Sequence, residues 1–166
     1  MTDFNWYLDR LASHGETEVF VDDSGSSTYT DLVQRTQELV LQFQEWGIGE
    51  GTKVAIVGDF DLNCTAAVLA LALLKAVTIP FSTASVIEME RALGVGGCDV
   101  LLREKNGSFE LEARPVTANH RLFDELRRRN SPGLLLFSSG TTGTPKGILH
   151  DLSRVVERFR KPGRSF

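Results

Sequence analysis

From Leu134 to Gly147 the sequence reads Leu-Leu-Leu-Phe-Ser-Ser-Gly-Thr-Thr-Gly-Thr-Pro-Lys-Gly, an apolar strand candidate running directly into a loop of hydroxyls and glycines with a single lysine. Those residue types can hold a polyphosphate. Gly140 and Gly143 allow sharp turns and close backbone approach, so that N–H groups converge on phosphate oxygens while Ser138, Ser139, Thr141 and Thr142 donate from the sides. Lys146 adds a flexible point charge, and Pro145 stiffens the approach to it. A flexible Ser/Thr/Gly connector shares the same composition, and composition alone does not separate the two readings. Spacing excludes two other nucleotide loops. A Walker A loop needs four residues between its first glycine and Gly-Lys-Ser/Thr, whereas here two residues separate Gly140 from Gly143 and Lys146 precedes Gly147. The dinucleotide fingerprint fails too: Gly140 and Gly143 do not make its Gly-x-Gly start, and Gly94, Gly96 and Gly97 put Asp99 where its third glycine belongs.

The string from Ser138 to Gly147 resembles, position by position, the phosphate-loop signature of the adenylate-forming superfamily, which includes acyl- and aryl-CoA synthetases, firefly-type luciferases and adenylation domains of nonribosomal peptide synthetases. Thr28-Tyr29-Thr30-Asp31-Leu32 is similar to the superfamily's Thr-Tyr-x-Glu-Leu helix opening. Leu74 to Phe81 is similar to its Leu-Lys-Ala-Gly-Ala-x-x-Val-Pro-Leu stretch, slightly shortened. The resemblance implies that the loop grips the β- and γ-phosphates of ATP, with Mg2+, while a carboxylate attacks the α-phosphate to give an acyl-adenylate and pyrophosphate. It further implies Ser138, Ser139, Gly140, Thr141, Thr142, Gly143 and Lys146 as phosphate or pyrophosphate ligands. The acceptor in such a parent would be coenzyme A or another thiol. Superfamily members are several times longer, and the segments that bind adenine, ribose, carboxylate and metal, with the mobile C-terminal domain and its catalytic lysine, fall beyond this sequence. No complete catalytic set and no metal site is therefore expected in residues 1–166. One local departure is that His150 comes early and is followed by Asp151-Leu152, so no role passes to it.

At 166 residues the chain is expected to form a single α/β domain, an incomplete part of a larger AMP-binding unit, able to bury about two thirds of its unfolded surface. It is 42% apolar and 24% charged, an ordinary globular mixture. A net charge of −4 offers no basic field, so nucleic acid is not an expected partner. Ala66 to Leu74, the longest apolar run, is too short to span a bilayer, and no membrane association is expected. Asp3, Asn5 and Asp9 interrupt any targeting pattern near Met1, which points to a cytoplasmic protein. Cys64 and Cys98 lack partners at metal spacing and read as reduced packing residues.

The elements that must position the loop alternate. A first amphipathic segment ends at Ser13-His14-Gly15, and Val19-Phe20-Val21 and Ser27-Thr28-Tyr29 flank a turn to make an N-terminal hairpin. Thr30 is the expected N-cap of a helix whose Leu32, Thr36, Leu39, Val40, Phe43 and Trp46 form one stripe, with Gly47 stopping it. Val54 to Val57 reads as a doubly covered parallel strand; Asp59 and Asp61 beyond it suit helix capping better than ligand binding. Then come an apolar helix from Asn63 to Lys75, a strand from Val77 to Phe81, a helix over Val86 to Leu93, a strand from Val100 to Leu102, and Phe109 to Ala113 after an Asn106-Gly107 turn. Asn119 is the expected cap of a helix ending in Arg127-Arg128-Arg129, which suit the helix dipole and pairs of Asp124 with Arg128 and Glu125 with Arg129 better than nucleic acid. After the loop, Asp151 or Ser153 starts a helix carrying Leu152, Val155, Val156 and Phe159, with a solvated basic face. This alternation predicts a three-layer α/β/α fold around a mostly parallel sheet, with the loop at the carboxyl end of the Leu134 to Phe137 strand.

Two functions follow. The first is the N-terminal part of an ATP-dependent, carboxylic-acid-adenylating enzyme, acid–CoA ligase-like. The second is a non-catalytic phosphate- or partner-binding module derived from one, its bared surface meeting the rest of the enzyme or a partner subunit.

Overall fold

The computed structural model describes residues 4–22, 25–83, 86–115, 120–138 and 145–160. Helix α1 (Asn5–Ala12) leads into an antiparallel hairpin, β1 (Glu18–Asp22) and β2 (Gly25–Thr28). Helix α2 (Tyr29–Glu45) begins on a capping box, in which Thr28 Oγ1 accepts from the Asp31 N–H and Asp31 Oδ2 accepts from the Thr28 N–H. The cap is thus Thr28 rather than Thr30, because Thr28 keeps the extended backbone a cap needs (φ −99°, ψ 170°), while the Thr30 hydroxyl donates to Glu16. The stripe Leu32, Thr36, Leu39 and Phe43 is buried. Gly47, at φ +75°, closes the helix in a left-handed turn, with the Gly47 and Ile48 N–H groups bonded to the Gln44 and Phe43 carbonyls.

Strand β3 (Lys53–Val57) is buried at every residue: its apolar run Val54–Val57 lies between two helical layers, and the Lys53 ammonium lies 3.5 Å from Asp99 Oδ1. Helix α3 (Leu62–Leu73) starts from Asp61, whose side chain accepts from the Cys64 N–H. Next are β4 (Val77–Phe81), α4 (Val86–Gly96), β5 (Val100–Lys105) and β6 (Ser108–Ala113), the last two joined by Asn106 and Gly107 at φ +51° and +82°. Helix α5 (Arg121–Arg128) is capped by the His120 ring, whose Nδ1 accepts from the Leu122 N–H; Asn119 lies outside the described residues. Strands β7 (Gly133–Ser138) and β8 (Lys146–Asp151) precede α6 (Leu152–Glu157), for which Asp151 is the cap.

The main sheet has the order β6-β5-β3-β4-β7-β8, with four parallel inner strands and an antiparallel strand on each edge. On one face Leu39, Phe43, Leu71, Leu152 and Val156 pack with Val54, Ile56 and Leu102. On the other, Met89, Leu93 and Leu126 from α4 and α5 pack with Ala55, Val57, Ile79, Leu101 and Leu135. The three-layer expectation holds. Trp6 and Trp46 are half-buried against the first layer, and Cys64 and Cys98 are unpaired and buried, one in each layer.

Strand β8 is the principal departure from expectation. The loop does not pass straight to a helix; the chain first returns antiparallel along β7, so the loop is the head of a β-hairpin. Helix α6 is correspondingly short: Leu152 and Val156 are buried, whereas Val155 and Phe159 are exposed.

Candidate functional site

The four inner strands run parallel, so their carboxyl ends share one edge of the sheet, and the β7–β8 hairpin head lies there. Ser138, the last residue of β7, is in register with Lys146, the first of β8. Because the two are directly opposed, their side chains leave the same face of the hairpin, and both are exposed. A hydroxyl and an ammonium flanking one loop at this edge form a donor pair suited to anionic oxygens. Of the other residues expected at the site, Ser139, Gly140, Thr141, Thr142 and Gly143 lie outside the described residues.

The opposite face of the hairpin explains how the loop is supported. Phe137, one residue before Ser138, stacks on Phe81 at the end of β4, with ring centroids 6.1 Å apart and planes 17° apart. Its ring also lies over two glycines. A Cβ on Gly96, at the end of α4, would meet Phe137 Cζ at 2.8 Å, and one on Gly147 would meet Phe137 Cε1 at 3.2 Å. Both contacts are tighter than ordinary van der Waals approach, so the absence of a side chain at these two positions makes room for the ring. Strand β7 is therefore wedged between α4 and β4 immediately before the loop begins.

At the hairpin's other end, Asp151 is the anchor. Its Oδ1 accepts from Ser131 Oγ at 2.6 Å and from the Arg154 N–H at 3.3 Å, while Arg129 and Arg154 guanidinium nitrogens lie 3.7 and 3.6 Å from Oδ2. The Leu152 N–H donates to the Pro132 carbonyl beside it. Sequence reasoning recognised Asp151 only as a cap. It assigned Arg129 to Glu125, but Arg129 reaches Asp151 instead, and Arg128 Nε donates to the Asp124 carbonyl at 3.4 Å. No local signal identifies Ser131 or Arg129 as partners of Asp151, since only β7–β8 pairing brings them together.

Around the carboxyl edge, Asp59 accepts from the Thr83 hydroxyl at 2.8 Å and Asp61 caps α3, as the capping expectation had it for Asp61. Burial, reinforced by the nearby Asp61 and Glu104 charges, pushes the Cys64 thiol up to about 12, so it is not a thiolate at neutral pH. Among the described residues no group of three His, Cys, Asp or Glu side chains is assembled that could hold a metal, and no helix is long and apolar enough to cross a membrane.

An open, mostly parallel sheet between two helical layers, with a Ser/Thr/Gly-rich loop at its carboxyl edge, is the architecture of the N-terminal subdomain of adenylate-forming enzymes. The chain belongs to the AMP-binding enzyme family, whose model matches residues 8–161. Its fold is similar to the Klebsiella oxytoca NpsA N-terminal subdomain (TM-score 0.72, 21% identity, 98% of this chain and 44% of that one). It is also similar to the N-terminal domain of FACL13 from Mycobacterium tuberculosis (TM-score 0.67, 21% identity, 90% and 44%). In sequence it is 27% identical over 169 residues to the hybrid PKS-NRPS synthetase iliA of Neonectria sp., covering 92% of this chain and 4% of that protein. It is 27% identical to the nonribosomal peptide synthetase sidC of Arthroderma benhamiae over 74% of this chain and 3% of that protein. The chain thus spans only a few per cent of the length of these curated relatives.

Proposed function

We propose that this protein supplies the ATP-phosphate grip of an enzyme that activates a carboxylic acid as its acyl-adenylate, residues 1–166 forming the N-terminal part of a larger AMP-binding unit. The reading rests above all on Ser138 and Lys146 facing one another across the base of the hairpin loop, at the carboxyl edge of the parallel strands. That donor set fits a polyphosphate: the Ser138 hydroxyl donates one directed hydrogen bond and the Lys146 ammonium adds a mobile charge. The glycine-rich segment 139–144 would contribute its backbone N–H groups. ATP, arriving with Mg2+, would supply the electrophilic α-phosphate and the pyrophosphate leaving group. The chain's own part would be to hold the β- and γ-phosphates and to neutralise the charge they gain, an electrostatic role for which Lys146 is the principal candidate. Complexation of the NpsA subdomain with 3-hydroxybenzoyl-AMSN supports an acyl-adenylate-like ligand for this fold.

The type of enzyme is better drawn as a peptide-synthetase-like adenylating unit than as an acid–CoA ligase, because curated relatives to which the chain is similar carry the names of hybrid PKS-NRPS and nonribosomal peptide synthetases. The acyl acceptor would then be a thiol other than free coenzyme A.

Calorimetric titration of pyrophosphate into the chain and into Lys146→Ala tests the grip. Losing one charge-assisted hydrogen bond should weaken binding by about 1–3 kcal/mol, or about 5- to 150-fold. The melting temperature should barely move, because Lys146 is exposed. Equal affinities for the two proteins would remove Lys146 from the site.

A further inference from the structure

Charge is divided unevenly along this chain. From Arg121 to the end it carries ten Lys and Arg against four Asp and Glu, whereas residues 1–120 carry eight against eighteen. Folding gathers part of the basic excess at the end of the β7–β8 hairpin remote from the loop. Arg129, at the end of α5, and Arg154, on α6, come from opposite faces of the sheet, and both reach Asp151 Oδ2, at 3.7 and 3.6 Å. Asp151 is 13% exposed and its Oδ1 is held by the Ser131 hydroxyl, while the two arginine side chains stay 48% and 72% exposed. One carboxylate does not neutralise two guanidinium groups, and the surplus stands in water.

Helix α6 extends that charge. Arg158 follows Arg154 by four residues and so lies on the same side of the helix. It is exposed and forms no ion pair among the described residues, Glu157 beside it being taken by Arg160 at 3.3 Å. Each of the two arginines is followed by an exposed apolar side chain, Val155 at 37% and Phe159 at 60%. The Phe159 carbonyl accepts from the Arg10 guanidinium of α1, which fixes this last turn on the body of the protein. The result is a strip in which cation and apolar residue alternate twice, Arg154-Val155 and Arg158-Phe159.

Both the charge and its interleaving narrow the choice of occupant. Exposed cations set between apolar side chains at helical spacing match a segment that offers carboxylates and apolar groups at that same spacing. An extended polyanion matches less well, because nucleic acid or an anionic bilayer reaching beyond the strip meets the carboxylate excess of residues 1–120.

We propose that this strip, with Arg129 beside it, is the docking surface for an acidic amphipathic helix of a partner protein, its carboxylates set against Arg154 and Arg158 and its apolar side chains on Val155 and Phe159. The surface lies at the far end of the hairpin from the loop and owes nothing to phosphate binding there.

The test is selection of a displayed library of helix-forming peptides on the full chain, followed by titration of the synthesised winner into variants. Arg158→Glu and Phe159→Ser alter exposed side chains outside the Asp151 cluster, so both should fold, which circular dichroism checks; Arg158→Gln replaces either one that does not. Enriched peptides should be net negative and carry at least two large apolar residues. The peptide should bind Arg158→Glu and Phe159→Ser at least about tenfold more weakly than the parent and should weaken with added salt, whereas Lys146→Ala should bind it unchanged. No enrichment, enrichment of neutral or basic peptides, or equal binding to Arg158→Glu would each overturn the proposal. Loss of binding in Lys146→Ala would also overturn it, by assigning the acidic peptide to the loop. Binding of a short DNA duplex or of phosphatidylserine vesicles as tightly as the peptide would do the same, marking a general polyanion surface.

Discussion

Gly96→Ala tests whether Phe137 is wedged as described, and Gly94→Ala is its internal control. Both glycines lie in α4, and neither has a positive φ, so alanine fits the backbone at both. In an exposed helix Gly→Ala gains up to about 1 kcal/mol. At Gly94 an added Cβ meets nothing within 4 Å, so that gain should be realised nearly in full. At Gly96 the new Cβ would lie 2.8 Å from Phe137 Cζ and 3.0 Å from Leu135 Cδ2. Ordinary carbon contacts are about 3.5–4.0 Å, so the ring must retreat by roughly 0.7 Å or more. Retreat is opposed on two sides, by the Phe81 stack and by the close approach to Gly147. Overpacking of this kind costs about 1–3 kcal/mol, which outweighs the helix gain. Gly96→Ala should therefore be less stable than Gly94→Ala by about 2 kcal/mol in urea titrations, with m unchanged. Phe137→Leu, which removes Cζ, should recover about half of that gap in the double variant. Because Ser138 follows Phe137, Gly96→Ala should also weaken pyrophosphate binding several-fold, whereas Gly94→Ala should not. A Gly96→Ala protein as stable as Gly94→Ala would refute the wedge, whatever the loop binds.

Asp151→Ala leaves Ser131 and Arg129 without their shared acceptor and should cost about 1.5–3 kcal/mol by thermal melting, with Asp151→Asn intermediate; no loss would mean that the cluster does not anchor the hairpin. Thr28→Ala should cost about 1 kcal/mol by removing the capping box, and Thr30→Ala distinctly less; the reverse order would move the cap back to Thr30. The Cys64 thiol, raised from 9.0 to about 12, holds its proton more tightly folded than unfolded. Its contribution is thus complete below the unfolded pKa and is lost as pH rises from about 9 towards about 12. Between about pH 8 and about pH 10.5 the wild type should lose more stability than Cys64→Ala, and parallel stability curves would contradict the assignment. On the proposed function, the 166-residue chain should show no carboxylate-dependent ATP–pyrophosphate exchange, because α-phosphate and carboxylate positioning lie outside it; robust exchange with any acid would require those groups within it.

The sequence by itself determined whatever depends on neighbours a few residues apart. The stripe of α2 and its Gly47 stop, the continuous apolar run of β3 and the Asn106-Gly107 turn were all readable, because helical period, strand burial and left-handed glycine are local constraints. The choice of Thr28 over Thr30 as cap was not, since both are competent hydroxyls and only the backbone leaving β2 separates them. Nor was β8. Lys146-Gly147-Ile148-Leu149-His150-Asp151 is an edge strand with three exposed and three half-buried residues, and no alternation or turn signal marks it. It becomes a strand only because β7 offers a free edge. That long-range pairing sets Lys146 opposite Ser138 and brings Asp151 to Ser131 and Arg129. The sequence carried the chemistry of the loop in its residue types. Which of those residues face each other was decided by hydrogen bonding between strands, which depends on register and not on composition.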